Sequence, residues 1–310
     1  MVRKKIRLGT RGSQLALWQA NYIKDTLEKL HNVEIEIVKI KTKGDKILDV
    51  ALAKVGGKGL FVKELEDALL DGKVDFAVHS MKDVPVELPS GLHIAAITKR
   101  EDPRDVFISK NYNSLHELPS GSKVGTSSLR RQCQLLALRP DLKVEVLRGN
   151  VETRIKKMQD GIFDAVILAY AGVKRLGLLE YVKEVIPETL SLPAIGQGAL
   201  GIECRVDDKE TNELLKSINH EETSYCIRAE RAFLRVLQGG CQVPIGAFAK
   251  IDNRKLIIKG LVGSLNGDKI IAETISGDIK DCEALGEELA NIILKKGGKE
   301  ILEEVYGRKI

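Results

Sequence analysis

The stretch that decides the fold runs from Lys5 to Trp18 and reads KIRLGTRGSQLALW. Its first residues are apolar enough for a short β-strand, the segment from Gly9 to Ser13 reads as a turn, and a helical pattern follows. Ser13 stands where a helix N-cap is needed, because its hydroxyl oxygen accepts a hydrogen bond from the first turn. The apolar face of that helix is predicted from Leu15, Trp18, Tyr22, Leu27 and Leu30. A strand that enters a helix in this way is typical of α/β folds.

The next segments continue the same alternation. From Val33 to Ile40 apolar residues recur with period two, which predicts a strand. Lys63 to Leu70 reads as a helix that Gly72 closes, and a strand from Val74 to Val78 follows at once. Strand, helix and strand in this order predict a parallel sheet with crossover helices.

A second copy of this pattern lies downstream. Residues 123–128, KVGTSS, lead into another apolar-periodic helix, as residues 8–13 do in the first copy. The helix-to-strand segment 71–78, DGKVDFAV, is echoed by 160–167, DGIFDAVI. We therefore predict two lobes of related layout with mixed, mostly parallel sheets.

The remaining sequence predicts a return crossing and a third domain. After Pro193 a Gly-punctuated linker leads into a strand that we expect to return to the first lobe, and Glu221 to Leu237 reads as a helix. Three strands within 242–275 and a helix over 281–294 then predict a small α+β unit. The predicted domains are 1–98 with 197–217 for the first lobe, 99–196 for the second lobe and 218–310 for the C-terminal α+β domain.

Composition limits the classes of function. The 310 residues carry 49 Lys and Arg against 44 Asp and Glu, so the net charge of +5 is mild, and aromatic residues make up 4%. Both values argue against a dedicated nucleic-acid binder. No stretch approaches the roughly 20 apolar residues of a membrane helix, and the start lacks the apolar core of a secretory signal. Five scattered cysteines without metal-ligand spacing lead us to expect a cytoplasmic protein with reduced thiols, no structural metal and no membrane partner.

The segments 9–13, GTRGS, and 125–128, GTSS, both place backbone N–H groups, hydroxyls and a helix start at the carboxyl end of a strand, where α/β sheets bind anions. Arg11 lies in the first segment, Arg130 and Arg131 follow the second, and Arg148 ends the next strand. Arginine pairs with carboxylates through two parallel hydrogen bonds. Taken singly, each motif is also explained by a helix cap and solvated arginines. The set, repeated in two lobes, favours a site for a multiply carboxylated ligand, because the Gly-rich run 56–59 lacks the spacing of a nucleotide-binding loop.

Two further positions are candidates for chemistry. His79 to Pro85, HSMKDVP, follows the strand that ends at Val78, and its Asp83 is the natural acid or base, with Lys82 alongside to neutralise an anion. The alternative is an ordinary turn aspartate with a solvated lysine. Cys241 lies in the tight loop GGCQVP, where a thiol is accessible, although a lone cysteine is more often a small buried residue.

Together these motifs resemble the hydroxymethylbilane synthases, also called porphobilinogen deaminases. The segments that carry the resemblance are 9–13 GTRGS, 79–85 HSMKDVP, 125–131 GTSSLRR, 147–151 LRGNV, 193–198 PAIGQG and 239–244 GGCQVP. They occur in the family's order and span nearly the whole chain. No functional motif departs from the family pattern.

The resemblance implies a transferase of porphyrin and heme biosynthesis that joins four porphobilinogen molecules head to tail, releases ammonia at each step, and hydrolyses the linear tetrapyrrole free as hydroxymethylbilane. It also implies one dipyrromethane cofactor per chain, attached through a thioether to Cys241. The fold it implies is two lobes like a type II periplasmic binding protein, with the active site between them, and a third domain. It further implies a monomer.

The resemblance also implies roles for individual residues. Asp83 and Lys82 would be catalytic, with Asp83 bonding pyrrole N–H groups and stabilising the cation formed when ammonia leaves. Besides Cys241, Asp83 and Lys82, the implied cofactor-binding residues are Ser80, Thr126, Ser128, Arg130, Arg131 and Arg148. The implied substrate-binding residues are Arg11, Ser13, Arg148, Arg154, Arg175 and Gln197. The Gly-rich run near Gly56 would be a lid.

Two other classes of protein fit parts of the sequence. A two-lobed cytoplasmic binding protein for a polycarboxylate would close on its ligand without chemistry, and such a protein would not need Cys241. A nucleic-acid binder would use the arginine pairs on phosphate, and its affinity would fall steeply with salt. The covalent-cofactor chemistry that the full motif set implies favours the synthase over both.

Overall fold

The computed structural model describes residues 4–46, 62–239 and 243–307. Within these ranges the strands are β1 (Lys4–Thr10), β2 (Val33–Lys39), β3 (Phe76–Ser80), β4 (Leu92–Ile97), β5 (Asp105–Ser109), β6 (Lys123–Gly125), β7 (Lys143–Glu145), β8 (Ala165–Ala169), β9 (Val182–Ile186), β10 (Leu200–Arg205), β11 (Ile245–Asp252), β12 (Lys255–Gly263) and β13 (Ile270–Asp278). The helices are α1 (Gln14–Leu30), α2 (Lys43–Lys46), α3 (Lys63–Leu70), α4 (Leu129–Leu138), α5 (Val151–Gln159), α6 (Tyr170–Arg175), α7 (Lys209–Lys216), α8 (Glu221–Val236), α9 (Cys282–Ile293) and α10 (Lys299–Tyr306).

The contacts divide the chain into two compact units. The first combines the described residues before 102 with Ala199–Ser224, and the second combines Asp102–Gly198 with the described residues from 225 onward. The strand after the Gly-punctuated linker, β10, pairs with β3 and β4 and so belongs to the first unit.

The sheet of the first unit has the order β2-β1-β3-β10-β4. β1 pairs in parallel with β2 and β3, whereas β10 is antiparallel to both of its neighbours. One face of the sheet packs on α1, with Leu8, Phe76 and Ile202 buried against Ile23. Leu65 and Leu69 of α3 bury their side chains in a separate cluster of the same unit.

The second unit contains a sheet of the order β7-β6-β8-β5-β9. β6 is parallel to β7 and β8, and β5 is antiparallel to β8 and β9. Strand for strand this is the arrangement of the first sheet, with β6 in the place of β1 and β5 in the place of β10. The prediction of an α/β chain with two related lobes and mixed, mostly parallel sheets is confirmed.

The rest of the second unit is a small α+β layer. β11, β12 and β13 form an antiparallel sheet in that order. Helices α8 and α9 cover it, and Phe233 packs so closely that a Cβ on Gly260 would lie 2.6 Å from its ring. Glycine at this position therefore lets helix and sheet approach, and the predicted C-terminal α+β unit is confirmed.

The apolar face predicted for α1 is wrong in part. Its buried residues are Gln19, Ala20, Ile23 and Leu27, whereas Trp18 and Tyr22 are exposed and stack on each other with ring centroids 5.4 Å apart. Gln19 is buried because its amide donates a 2.8 Å hydrogen bond to the hydroxyl of Ser80. Gln19, a polar residue with a hydrogen-bond partner, thus lies in the core where the apolar pattern predicted Trp18.

The strand predicted over Val74 to Val78 begins two residues later, at Phe76, and runs on to Ser80. Asp75 is the last residue of the connection between α3 and β3, and its carboxylate accepts hydrogen bonds from the backbone and side chain of Arg7.

Among the helices of the described residues, none combines the length and the apolar content that crossing a membrane requires.

Candidate functional site

The first anion-binding segment lies at the carboxyl end of β1. Thr10 is buried and its hydroxyl donates to the carbonyl of Ala16, while the Ser13 oxygen accepts from the backbone N–H of Ala16 at 3.3 Å. The predicted N-cap at Ser13 is confirmed. Arg11, partly exposed, lies between Thr10 and Ser13 in the sequence, directly after the end of the strand.

The neighbouring strand β3 ends in the segment that carries Asp83. Ser80 is its last residue, and Met81–Asp83 form a single helical turn in which Lys82 and Asp83 are half-buried. The backbone N–H of Met81 donates to the carbonyl of Ala199 at 3.0 Å, which ties the turn to the chain entering β10. Because β1 and β3 are adjacent and parallel, their carboxyl ends, with Arg11 and Asp83, lie at the same edge of the sheet.

The second lobe repeats this construction at the end of β6. The hydroxyl of Ser128 caps α4 by accepting from the backbone N–H of Arg131, and the hydroxyl of Thr126 accepts from the backbone N–H of Ser128. Ser127 bonds the carbonyl of Leu147 and so fixes the turn to the next strand end. The local sequence therefore builds the same helix entrance twice.

Arg130 and Arg131 are buried around a carboxylate that sequence reasoning missed. Arg130 Nη2 lies 2.9 Å and Arg131 Nη2 lies 2.8 Å from the two oxygens of Asp105, which is fully buried. Ser191 and Gln197 also donate to this carboxylate. Burial acts to raise the pKa of Asp105, but the two guanidinium groups outweigh it and hold the pKa below its usual range.

The cluster around Asp105 keeps a surplus of positive charge. Two guanidinium groups share one carboxylate, and neither Arg130 Nε nor Arg131 Nε has a hydrogen-bond partner within the described chain. Buried donors without partners are costly unless a ligand satisfies them. The arrangement is therefore suited to a further anion.

We expect Asp105→Asn to destabilise the second unit by about 3–5 kcal/mol, because removing one partner leaves two buried cations uncompensated. Asp141→Asn is the matched control: Asp141 accepts two hydrogen bonds from Arg139 but is exposed, so the loss there should be much smaller. Urea unfolding of both variants measures the two losses. Equal losses would contradict the assignment of Asp105 as the anchor of the cluster.

A third group of arginines lies near the start of α5. Gly149 has a φ of +115°, and a Cβ there would lie 2.8 Å from Thr153, so the turn requires glycine. Arg154 Nε donates to the Gly149 carbonyl at 2.7 Å. Arg148 is half-buried, and its Nε has no partner in the part of the chain described. Arg148 is thus a second position in this unit where a guanidinium group is available to a carboxylate.

The other predicted residues have structural contacts of their own. Arg175 Nη2 donates to the Gly198 carbonyl at 2.6 Å, and Gln197 Nε2 donates to the Pro103 carbonyl as well as to Asp105. Cys241 and the Gly-rich run near Gly56 lie outside the described residues. In the first unit Arg11, Ser13, Ser80, Lys82 and Asp83 lie at or just after the carboxyl ends of the adjacent strands β1 and β3, and in the second unit Thr126, Ser128, Arg130 and Arg131 lie at the start of α4.

Two family models match the chain. The description "Porphobilinogen deaminase, dipyromethane cofactor binding domain" matches residues 6–213, and "Porphobilinogen deaminase, C-terminal domain" matches residues 224–295. A curated porphobilinogen deaminase of Geobacter sulfurreducens is 57% identical over 311 residues, covering 100% of this chain and 98% of its own length. One of Pelobacter propionicus is 56% identical and covers both chains in full.

Two of the solved structures with some likeness to the chain are bacterial binding proteins. The methionine-binding protein MetQ aligns with a TM-score of 0.42 at 15% identity, over 69% of this chain and 89% of its own. A periplasmic substrate-binding protein of an ABC transporter from Coxiella burnetii aligns with a TM-score of 0.45 at 13% identity, over 69% and 91% of the two chains.

Proposed function

The chain belongs to the porphobilinogen deaminase family, and from that premise we propose that the residues at its two sets of strand ends carry out the family's reaction. The protein is a transferase that polymerises four molecules of porphobilinogen into hydroxymethylbilane with release of ammonia. The observation that carries this conclusion is the identity of 57% over the full chain, to a relative that has the same length within 2%.

The cofactor of this family is a dipyrromethane. When bound, it supplies the primer to which porphobilinogen units are added. Its pyrrole rings carry acetate and propionate groups, and the donor set of the second unit fits such a polycarboxylate. Arg130, Arg131 and Arg148 each keep a buried Nε without a partner in the described chain, and the hydroxyls of Thr126 and Ser128 lie in the turn that leads into the helix of Arg130 and Arg131. We assign the binding of the cofactor to these residues together with Ser80, Lys82 and Asp83, and its covalent attachment to Cys241.

We assign the central catalytic role to Asp83. Loss of ammonia from porphobilinogen breaks the bond between carbon and nitrogen and leaves a cation spread over the pyrrole ring and its exocyclic carbon. A fixed carboxylate beside the pyrrole N–H stabilises that charge as it develops. The same carboxylate would be a suitable first acceptor for the proton released when the new carbon–carbon bond forms.

The remaining predicted site residues bind the substrate's carboxylates in this proposal. Arg11 and Ser13 belong to the first unit, and Arg148, Arg154, Arg175 and Gln197 belong to the second. Lys82 neutralises an anionic side chain next to Asp83. Each added pyrrole brings two carboxylates, which is why a chain with a net charge of only +5 places so many arginines at strand ends.

We further propose that the protein acts in the cytoplasm as a monomer, with porphobilinogen as its partner and without nucleic acid, membrane or metal. The domains we propose are 1–98 with 197–217, 99–196 and 218–310. The mild net charge of +5 supports the absence of a nucleic-acid partner, since dedicated nucleic-acid binders are strongly basic.

Incubation of the purified chain with porphobilinogen tests the function directly. We expect four ammonia molecules for each hydroxymethylbilane, and a denatured chain whose mass rises in steps of one pyrrole unit during turnover. Binding of porphobilinogen without release of ammonia would instead support the binding-protein alternative.

A further inference from the structure

Three titratable side chains lie buried together in the first unit, away from the arginines described above. Glu66 of α3, His79 of β3 and Glu203 of β10 are 7%, 5% and 1% exposed. His79 Nε2 lies 2.9 Å from Glu203 Oε2, so one hydrogen bond links two neighbouring strands through their side chains. Such a cluster is costly to bury, and the anion-binding role proposed above does not use it.

The cluster lies directly behind the turn that carries Asp83. His79 is the residue before Ser80, with which β3 ends, and it pairs with Gly201 of β10. A Cβ on Gly201 would lie 2.6 Å from the sulfur of Met81, so the first side chain of the turn packs on β10 where only glycine leaves room. The turn Met81–Asp83 therefore rests on the same two strands that the bond between His79 and Glu203 holds together.

The charges of the cluster do not balance. Glu66 Oε1 and Glu203 Oε1 are buried and have no hydrogen-bond partner within the described chain. Burial and the neighbouring Glu203 raise the pKa of Glu66 to about 7, Asp67 adds to this, and His79 and Lys63 oppose it. Arg205, at the end of β10, makes its contacts elsewhere. It donates to the carbonyls of Leu69, at the far end of α3, and of Val74. Its guanidinium group also pairs with Asp75 and Asp208.

We propose that Glu66, His79 and Glu203 form a positioning cluster that fixes the turn Met81–Asp83 for the transferase reaction. The inference rests on the catalytic role proposed for Asp83. The bond between His79 and Glu203 holds β3 against β10, and Glu66 closes the cluster from α3. When Glu66 is deprotonated, the buried cluster contains a second carboxylate charge beside that of Glu203. The two charges repel each other and loosen the pairing of β3 with β10, from which the turn projects.

Glu203→Gln tests the link between the strands, since it keeps the shape of the side chain but replaces the charge-assisted hydrogen bond to His79 with a weaker neutral one. The variant is compared with the wild type at about pH 6, where Glu66 is largely protonated and does not repel Glu203. We expect kcat to fall about tenfold with KM changed by less than about twofold, because the turn is misplaced while the carboxylate-binding arginines stay in position. Asp71→Asn removes an exposed charge at the C-terminal end of the same helix and should leave kcat unchanged. All rates are measured at a temperature at which melting curves show every variant to be folded.

Glu66→Gln tests the charge, because glutamine imitates the protonated carboxyl at every pH. The ratio of its kcat to that of the wild type should be near one at about pH 6 and should rise to about threefold or more at about pH 8.5. The melting temperature of Glu66→Gln should likewise rise relative to that of the wild type as the pH increases from about 6 to about 8.5. A raised pKa in the folded state means that the stability from protonated Glu66 is present below its unfolded pKa and is lost as the pH rises through about 7.

A kcat ratio that stays constant from pH 6 to 8.5, with the melting temperatures diverging, would overturn the proposal and leave a merely structural cluster. Full kcat in Glu203→Gln would overturn it as well. Asp83→Asn, measured in the same experiment, separates the catalytic role of Asp83 from the positioning role of the cluster. If Asp83→Asn is active, the role of Asp83 fails, whereas an inactive Asp83→Asn beside fully active cluster variants refutes only the positioning cluster.

Discussion

A Cys241→Ser chain is expected to carry no covalently held pyrrole and to make no hydroxymethylbilane. The thioether requires a thiolate, and a serine hydroxyl is a far weaker nucleophile at neutral pH. The measurement is the mass of the denatured chain, because denaturation removes everything that is not covalently bound. The wild type should exceed its polypeptide mass by two linked pyrrole units, and the variant should not.

The other four cysteines are poor candidates for a second cofactor attachment point, and one of them supplies the control variant. Cys133, Cys204, Cys226 and Cys282 are buried, and burial raises the pKa of Cys133 and of Cys204 to about 12, which leaves almost no thiolate at neutral pH. Cys282→Ala should therefore keep the excess mass and the activity. An excess of two pyrrole units on the Cys241→Ser chain would exclude Cys241 as the attachment point.

The features that sequence predicted well are local ones. Ser13 and Ser128 were identifiable as caps because a cap depends on residues within one turn. The repeated strand, Gly-Thr, Ser and helix pattern predicted two lobes of one layout, and the two sheets have the same strand order. Each of these features is specified by neighbours in the chain, so that a single sequence contains the whole signal.

The features that sequence reasoning missed depend on partners far away in the chain. Asp105 meets Arg131 26 residues on and Ser191 86 residues on, and His79 meets Glu203 at a separation of 124. Nothing in the local pattern distinguishes a buried carboxylate at the start of an apolar strand from an exposed one. An acid directly before the run Val106 to Ile108 was the one signal available.

Arg130 and Arg131 combine a structural role with the ligand-binding role that sequence reasoning gave them. Sequence reasoning treated Arg130 and Arg131 only as ligand-binding groups, but both guanidinium groups are also structural partners of Asp105. Asp105 uses the terminal nitrogens and leaves each Nε buried without a partner in the described chain. A variant at either arginine therefore tests folding and ligand binding together, which makes Asp83 the better position for a test of chemistry.

Asp83→Asn should lower kcat by about 10²–10³ and leave the melting temperature unchanged. Asparagine keeps the shape of the half-buried side chain, and Asp83 lies at the end of a turn that backbone bonds of Met81 hold in place. The amide removes the negative charge that stabilises the pyrrole cation, so the loss falls on the step in which ammonia leaves. Ammonia release under saturating porphobilinogen measures it.

The comparison is made on chains whose denatured mass shows the cofactor, because a chain without primer would be inactive for another reason. Asp71→Asn removes an exposed carboxylate of the same unit and should keep the wild-type rate. With the cofactor in place, an Asp83→Asn chain that retains more than about a tenth of the rate would show that the charge of Asp83 does not stabilise the transition state, since one such group accounts for a far larger factor. A loss of the expected size, with porphobilinogen affinity unchanged, would place Asp83 at the reacting atoms and not among the groups that hold the substrate's carboxylates.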